Sequence, residues 1–106
     1  MLVEFRITPL GIGEETKELV AKAMAIVEKS ELDYQLTAVG ILLEGNWDEV
    51  MFVIEKCHKE IKKFTERVVT EIFIDDRRDL DNRLRGNVLE IEYIRGKSLN
   101  TGGLTQ

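Results

Sequence analysis

Between residues 44 and 64 the chain passes from an apolar run into a segment that only one secondary structure accommodates. Trp47, Val50, Ile54, Cys57, Ile61 and Phe64 recur at spacings of three and four, which is one face of an α-helix. Asn46 stands at the N-cap position, where its side-chain oxygen can accept a bond from a free first-turn amide. Glu49, three residues on, can return a bond to the amide of the cap itself. Gly45 eases the bend out of the preceding apolar run, Ile41-Leu42-Leu43. Glu44 is left without such a local use. A carboxylate closing an apolar strand, with no cation beside it in sequence, needs a partner from elsewhere in the protein or from a ligand.

The rest of the chain arranges itself around this junction. Val3, Phe5 and Ile7 alternate with Glu4, Arg6 and Thr8, the pattern of a half-buried strand. Pro9 lacks a backbone donor and is expected to end it. Leu10-Gly11-Ile12-Gly13 reads as a loop. Glu14 and Glu15 then suit a helix N-terminus, and Leu19, Ala23, Ile26 and Val27 carry a helical stripe to about Lys29. Tyr34–Val39 and Ile41–Leu43, joined at Gly40, predict a hairpin. Arg67–Asp75 is rich in β-branched residues and predicts a fourth strand. In the last third, Leu80, Leu84, Val88, Ile91 and Ile94 suggest a helix, whereas Leu89, Ile91 and Tyr93 alternate as a strand would; helix is the preferred reading. Asp79 is the expected cap of that helix. The order is β-α-β, β-α-β and a terminal helix. This is an α+β, ferredoxin-like βαββαβ sandwich: a four-stranded antiparallel sheet, two helices on one face and an extra C-terminal helix. The expected single domain covers residues 1–94, with 95–106 a flexible C-terminal tail.

Two helices cover one face of such a sheet. On the fourth strand that leaves Val69, Glu71, Phe73 and Asp75 pointing away from them, beside Glu4, Arg6 and Thr8. Val69 and Phe73 are poor choices for a solvated face. The expectation is self-association through it, as a homodimer or homotetramer, in preference to the terminal helix folding back over it.

Composition narrows the function classes. The net charge of −5 disfavours nucleic acid, whose binding rests on Lys and Arg neutralising phosphates. An open face with Phe73 among Glu4, Glu71 and Asp75 also lacks the basic and aromatic groups of an RNA-binding sheet. No apolar run approaches the roughly 20 residues needed to span a bilayer, so no membrane partner is expected. A single cysteine, Cys57, forms no internal disulfide, and the N-terminus resembles no signal peptide; both suggest the cytoplasm. Cys57 and the lone His58 diverge by about 100° on one helix, so no metal site is expected. Asp75–Asp81 lacks the Gly and Glu positions of a calcium loop. Gly11-Ile12-Gly13 lacks both the third glycine of a dinucleotide loop and the Gly-Lys-Ser/Thr of a phosphate loop. No triad suggests nucleophilic catalysis. The chain is therefore read as no enzyme, with no cofactor.

Several short motifs occur in a characteristic order. They are Thr8-Pro9-Leu10-Gly11, Tyr34-Gln35-Leu36-Thr37, Glu44-Gly45-Asn46-Trp47-Asp48-Glu49, Arg67-Val68 and Asp76-Arg77. In these, over about residues 1 to 94, the chain resembles the small thiamine-binding protein family, long described as a domain of unknown function. The resemblance implies a ferredoxin-like fold assembled as dimers and tetramers. It also implies binding of thiamine or its hydroxymethylpyrimidine moiety, without established catalysis. One departure is Ile41, where such proteins typically carry Thr after the hairpin glycine. Carried onto this chain, the candidate ligand-binding residues are Thr8, Leu10, Thr37, Glu44 and Trp47. Glu44 would supply an acid for the thiazolium, Trp47 a wall, Thr8 and Thr37 hydroxyls, and Leu10 a closing apolar group. Trp47 also begins the apolar stripe of its helix, so core packing competes with that role. The alternative function is an oligomeric interaction or regulatory module without a small-molecule ligand; an enzyme using Glu44 as a base is a third.

Overall fold

Leu2–Leu10 forms β1, and a 3-10 turn at Gly13–Glu15 leads into α1, Thr16–Lys29. β2 (Asp33–Leu36), β3 (Ile41–Glu44), α2 (Trp47–Lys62), β4 (Arg67–Asp75) and α3 (Arg83–Arg95) follow. The computed structural model describes residues 1–105. The strands form one antiparallel sheet in the order β2-β3-β1-β4. The fold is therefore α+β and ferredoxin-like, with a C-terminal helix added, as the order of periodic segments implies. Among the described residues no helix is long and apolar enough to cross a membrane.

The register fixes the two faces of the sheet. Val3, Phe5 and Ile7 of β1 are buried against the helices. They stand opposite Ile74, Ile72 and Thr70 of β4, and facing residues of an antiparallel pair share a side. Glu4, Arg6 and Thr8 therefore share the other side with Phe73, Glu71 and Val69. The core is Val3, Phe5, Ile7, Ile41 and Leu43 from the sheet, closed by Leu19, Ala23 and Val27 of α1 and by Val50, Val53, Ile54, Cys57 and Ile61 of α2. Trp47 and Phe64, at the ends of the expected stripe, are 53% and 48% exposed. Trp47 sits on the exposed first turn of α2 and Phe64 lies two residues past its last, while Val53 takes a place inside.

Three local expectations are corrected. Pro9 does not end β1: it pairs with Val68, and the strand continues to Leu10. Pairing with β3 stops at Phe5, so at Pro9 the strand has one partner and behaves as an edge, where a missing donor is tolerated. β2 ends at Leu36 rather than Val39, because Thr37 turns the chain. Its hydroxyl donates to the Gly40 carbonyl at 2.9 Å and accepts from the Val39 and Gly40 amides at 3.2 and 3.0 Å. Asp79 does not cap α3; it forms a two-bond pair with Arg77 at 2.9 and 3.1 Å.

The last segment is helical, but of its expected stripe only Leu84 is buried, while Leu80, Ile91 and Ile94 are exposed. The position of α3 explains this. It is held at its N-terminal end by Glu44 and by an Arg85–Asp33 ion pair at 3.2 Å. Asp33 and Glu44 lie opposite one another on the side of the sheet away from the core. The terminal helix thus covers part of the open face at β2 and β3, and leaves Phe73 on β4 69% exposed. After α3 the chain turns back, and the Leu99 amide donates to the nearly buried Glu92 carboxylate at 2.6 Å.

Candidate functional site

Where β1 outruns β3, the hairpin turn folds beside it and leaves a cavity of about 200 Å³. Its walls include Phe5, Val20, Leu36 and Ile41 from the helix side of the sheet, and Thr8, whose side chain belongs to the open face, and Thr37 border it. Gly40 allows the turn to lie this close. A methyl group there would sit 2.9 Å from Cγ of Arg6 and 3.1 Å from the carbonyl oxygen of Phe5. The Thr37 hydroxyl is already engaged within the turn. The Thr8 hydroxyl makes no hydrogen bond among the described residues, so it is available to an incoming group. Ile41 is buried and makes this part of the wall apolar.

Arg6 also lines an adjoining hollow of about 330 Å³ on the open face, together with Glu4, Glu71 and Phe73. Its guanidinium bridges to Glu71 across the β1–β4 ladder at 3.0 Å. The hollow is therefore acidic overall, with an aromatic ring at its rim. Arg6 and Phe5 were not among the sequence candidates. The available signal was a cation in the first strand facing an acid in the fourth, and it becomes visible only once the register is known.

The remaining candidates lie elsewhere. Glu44 is at the opposite end of β3 from Gly40. Its carboxylate accepts from the backbone amides of Arg83 at 2.6 Å and Leu84 at 3.2 Å, so it caps α3. The partner that Glu44 lacked in sequence is thus a helix N-terminus, which favours negative charge. Gly45 beside it is a packing requirement: a Cβ there would meet Leu32 at 3.2 Å and Val50 at 3.3 Å. Trp47 begins α2 directly after the capping box, in which Glu49 N donates to Asn46 Oδ1 at 2.8 Å. Leu10 borders a separate hollow with Ile12, Lys62 and Phe64, where the Thr65 hydroxyl donates to the Leu10 carbonyl at 2.6 Å. The structure therefore brings Thr8 and Thr37 together and keeps Leu10 apart from the Glu44–Trp47 region. A further cleft of about 260 Å³ between α1 and α2, lined by Ile26, Phe52, Val53 and Lys56, holds none of the candidates.

Among the described residues, Cys57 and His58 line none of the cavities above. Cys57 is fully buried, its Sγ lies 3.5 Å from the Ala23 carbonyl, and burial pushes its thiol up to about 11. His58 contacts the Thr70 hydroxyl through Nδ1 at 2.6 Å.

Comparison with known proteins gives a consistent result. The family model described as thiamine-binding protein matches residues 3–92. A UPF0045 protein of Methanocaldococcus jannaschii is 32% identical over 84 residues, covering 79% of this chain and 84% of that one. A UPF0045 protein of Mycobacterium bovis is 33% identical over 93 residues, covering 87% and 91%. Among solved structures, a hypothetical protein from Methanocaldococcus jannaschii superposes with a TM-score of 0.79 at 31% identity, covering 85% of this chain and 93% of the other. A Thermotoga maritima protein, for which a role in thiamine biosynthesis or salvage has been suggested, superposes at 0.74 and 16% identity, covering 85% and 96%. At that identity the likeness is one of fold.

Proposed function

The chain belongs to the thiamine-binding protein family, and on that premise we propose that it is a non-catalytic binder of thiamine or its hydroxymethylpyrimidine moiety, acting in the cytoplasm as a homo-oligomer. The observation that carries the reading is the cavity at Thr8 and Thr37. At about 200 Å³ it falls below the roughly 300 Å³ at which pockets for drug-sized ligands begin. A single heteroaromatic ring suits it better than a whole cofactor. Apolar walls would hold the ring, and the Thr8 hydroxyl would bond an edge nitrogen or amine. The adjoining hollow with Glu4, Glu71 and Phe73 would suit a cationic thiazolium, through its carboxylates and through the face of the ring. Non-catalytic binding is supported by where the reactive groups sit: Cys57 is enclosed in the core and His58 is turned onto Thr70.

Self-association through the uncovered half of the open face is the second part of the proposal, supported by Phe73 standing 69% exposed beside Val69. Phe73→Glu should disperse such an assembly, because it would bury an unpaired charge.

Calorimetric titration with thiamine, its phosphates and free hydroxymethylpyrimidine tests the ligand. Thr8→Val should weaken binding about two- to tenfold, the worth of one neutral hydrogen bond of roughly 0.5–1.5 kcal/mol. Trp47 fluorescence separates a second location, since its half-exposed ring would respond to a ligand beside Glu44 and not to one at Thr8. Binding that quenches Trp47 and ignores Thr8→Val would move the site. Failure of all these compounds to bind would leave an oligomeric module without this ligand.

A further inference from the structure

α1 and α2 bury their inner faces against the sheet, and their outer faces meet along a groove. The cleft of about 260 Å³ at Ile26, Phe52 and Val53 is one half of it. A second hollow of about 580 Å³ continues it past Ile26 and Lys56, which line both halves. The two linings repeat. On α1, Ile26, Lys29 and Ser30 of the first hollow give way to Lys22, Ala25 and Ile26 of the second, a step of four residues. On α2, Phe52, Val53 and Lys56 give way to Lys59, Glu60 and Lys63, a step of seven. At 1.5 Å per residue these steps are about 6 and 10 Å.

The groove also reverses the sign of the chain. The protein carries a net charge of −5, yet five lysines and two glutamates line this surface. Both glutamates are engaged. Glu49 closes the capping box of α2, and Glu60 pairs with Lys63 at 2.9 Å. Among the described residues Lys22, Lys29 and Lys56 have no ion-pair partner. Lys56 lies over the Phe52 ring and Lys22 over the Phe64 ring, at 5.3 and 4.9 Å from the centroids. Phe52 is nevertheless 59% exposed, so a flexible lysine stem is all that covers it from outside.

This pattern has a definite complement. An apolar floor takes apolar side chains, and cations on both banks take carboxylates. Steps of four and seven residues are the i, i+4 and i+7 spacing at which an amphipathic helix presents its anchors to a groove. A concave apolar floor offers little to a phosphate backbone or to a flat lipid surface. We propose that the α1–α2 groove docks an acidic amphipathic helix of a partner protein, with apolar anchors in the two hollows and carboxylates on Lys22, Lys29 and Lys56. The groove opens on the side of the sheet away from the open face, so it stays accessible whether or not that face is covered.

The probe is a fluorescein-labelled peptide of about 18 residues, five turns of helix, made of Leu, Glu and Ala with Leu at i, i+4, i+7 and i+11. It should bind saturably in fluorescence anisotropy. A peptide of the same composition with its leucines scattered around the helix should bind at least about fivefold more weakly, since the anchors would no longer share a face. Phe52→Ala should weaken binding about tenfold, the loss typical of an aromatic anchor. Lys29→Glu combined with Lys56→Glu should do at least as much. All three side chains are exposed, so the variants should melt like wild type. Carbodiimide coupling joins a carboxylate to an adjacent lysine amine as an amide, with the lost water taken up by the carbodiimide. Mass spectrometry should then place the peptide on Lys22, Lys29 and Lys56 and not on Lys17, Lys62 or Lys97, which line neither hollow. No binding at about 1 mM peptide, a scattered peptide that binds equally well, links spread over all lysines, or Phe52→Ala that binds like wild type would each overturn the proposal. So would tighter binding to phosphatidylserine vesicles than to the peptide, which would make the groove a membrane contact. Displacement of the peptide by micromolar benzoate would overturn it in favour of a pocket for small anions.

Discussion

Removing the carboxylate of Glu44 should release α3 while leaving the core folded. The helix has little else to start it. Its own N-cap, Asn82, sits in the left-handed region at φ 55° and makes no side-chain cap bond. The acceptors for its first amides are the two Glu44 oxygens, at 2.6 and 3.2 Å. Loss of a cap costs about 0.5–2 kcal/mol, and loss of a negative charge at a helix N-terminus about 0.3–1 kcal/mol more. Glu44→Ala should therefore cost α3 about 2 kcal/mol. Tertiary packing does little to make up the difference, since Leu84 is its only buried apolar residue while Ile91, Tyr93 and Ile94 are exposed. The helix should open as a unit of its own. Amide exchange over residues 83–95, followed by mass spectrometry, should accelerate about thirtyfold at roughly 1.4 kcal/mol per decade. Exchange in α1, α2 and β1 should hold at the wild-type rate. Glu44→Gln keeps one acceptor oxygen and should fall between. If α3 exchanged at the wild-type rate in Glu44→Ala, the cap would be energetically idle, and Glu44 would be free to serve a ligand alone. If the core exchanged faster by the same factor, α3 would be an integral part of the cooperative unit.

Gly40→Ala should destabilise the fold by about 1–3 kcal/mol in denaturant titration, the usual cost of forcing a methyl group into a filled space, because its Cβ would meet the Phe5 carbonyl. The same variant should weaken any ligand at the Thr8 cavity. Asn46→Ala should lower stability by about 1 kcal/mol through loss of the α2 cap; an unchanged denaturation midpoint would refute this. Cys57 sets a pH dependence. Burial raises its thiol from 9.0 to about 11, so between these values the folded state holds a proton that the unfolded state loses. Its stabilisation is full below pH 9 and is lost as pH rises through about 11, worth about 2–3 kcal/mol at 1.36 kcal/mol per unit. Cys57→Ala should flatten that part of the stability profile.

Local chemistry along the chain determined the helices, the strands and their two faces. The period of Val50, Ile54, Cys57 and Ile61 needs no distant partner to make a helix, and the Asn46–Glu49 box closes within four residues. The alternation in β1 and β4 assigned inward and outward residues correctly, because side-chain direction in a strand follows position alone. What depended on distance along the chain was decided by the tertiary structure. Glu44 finds its partners 39 and 40 residues away, and Arg6 meets Glu71 across 65. The placement of α3 over half of the open face has no periodic signature, because an N-terminal anchor and one ion pair hold it rather than an apolar stripe. The candidate cavity follows the same logic. Thr8 and Thr37 become neighbours only because β1 extends past the last residue of its ladder with β3, and ladder length is set by the Thr37–Gly40 turn, which the β-propensity of the preceding residues concealed.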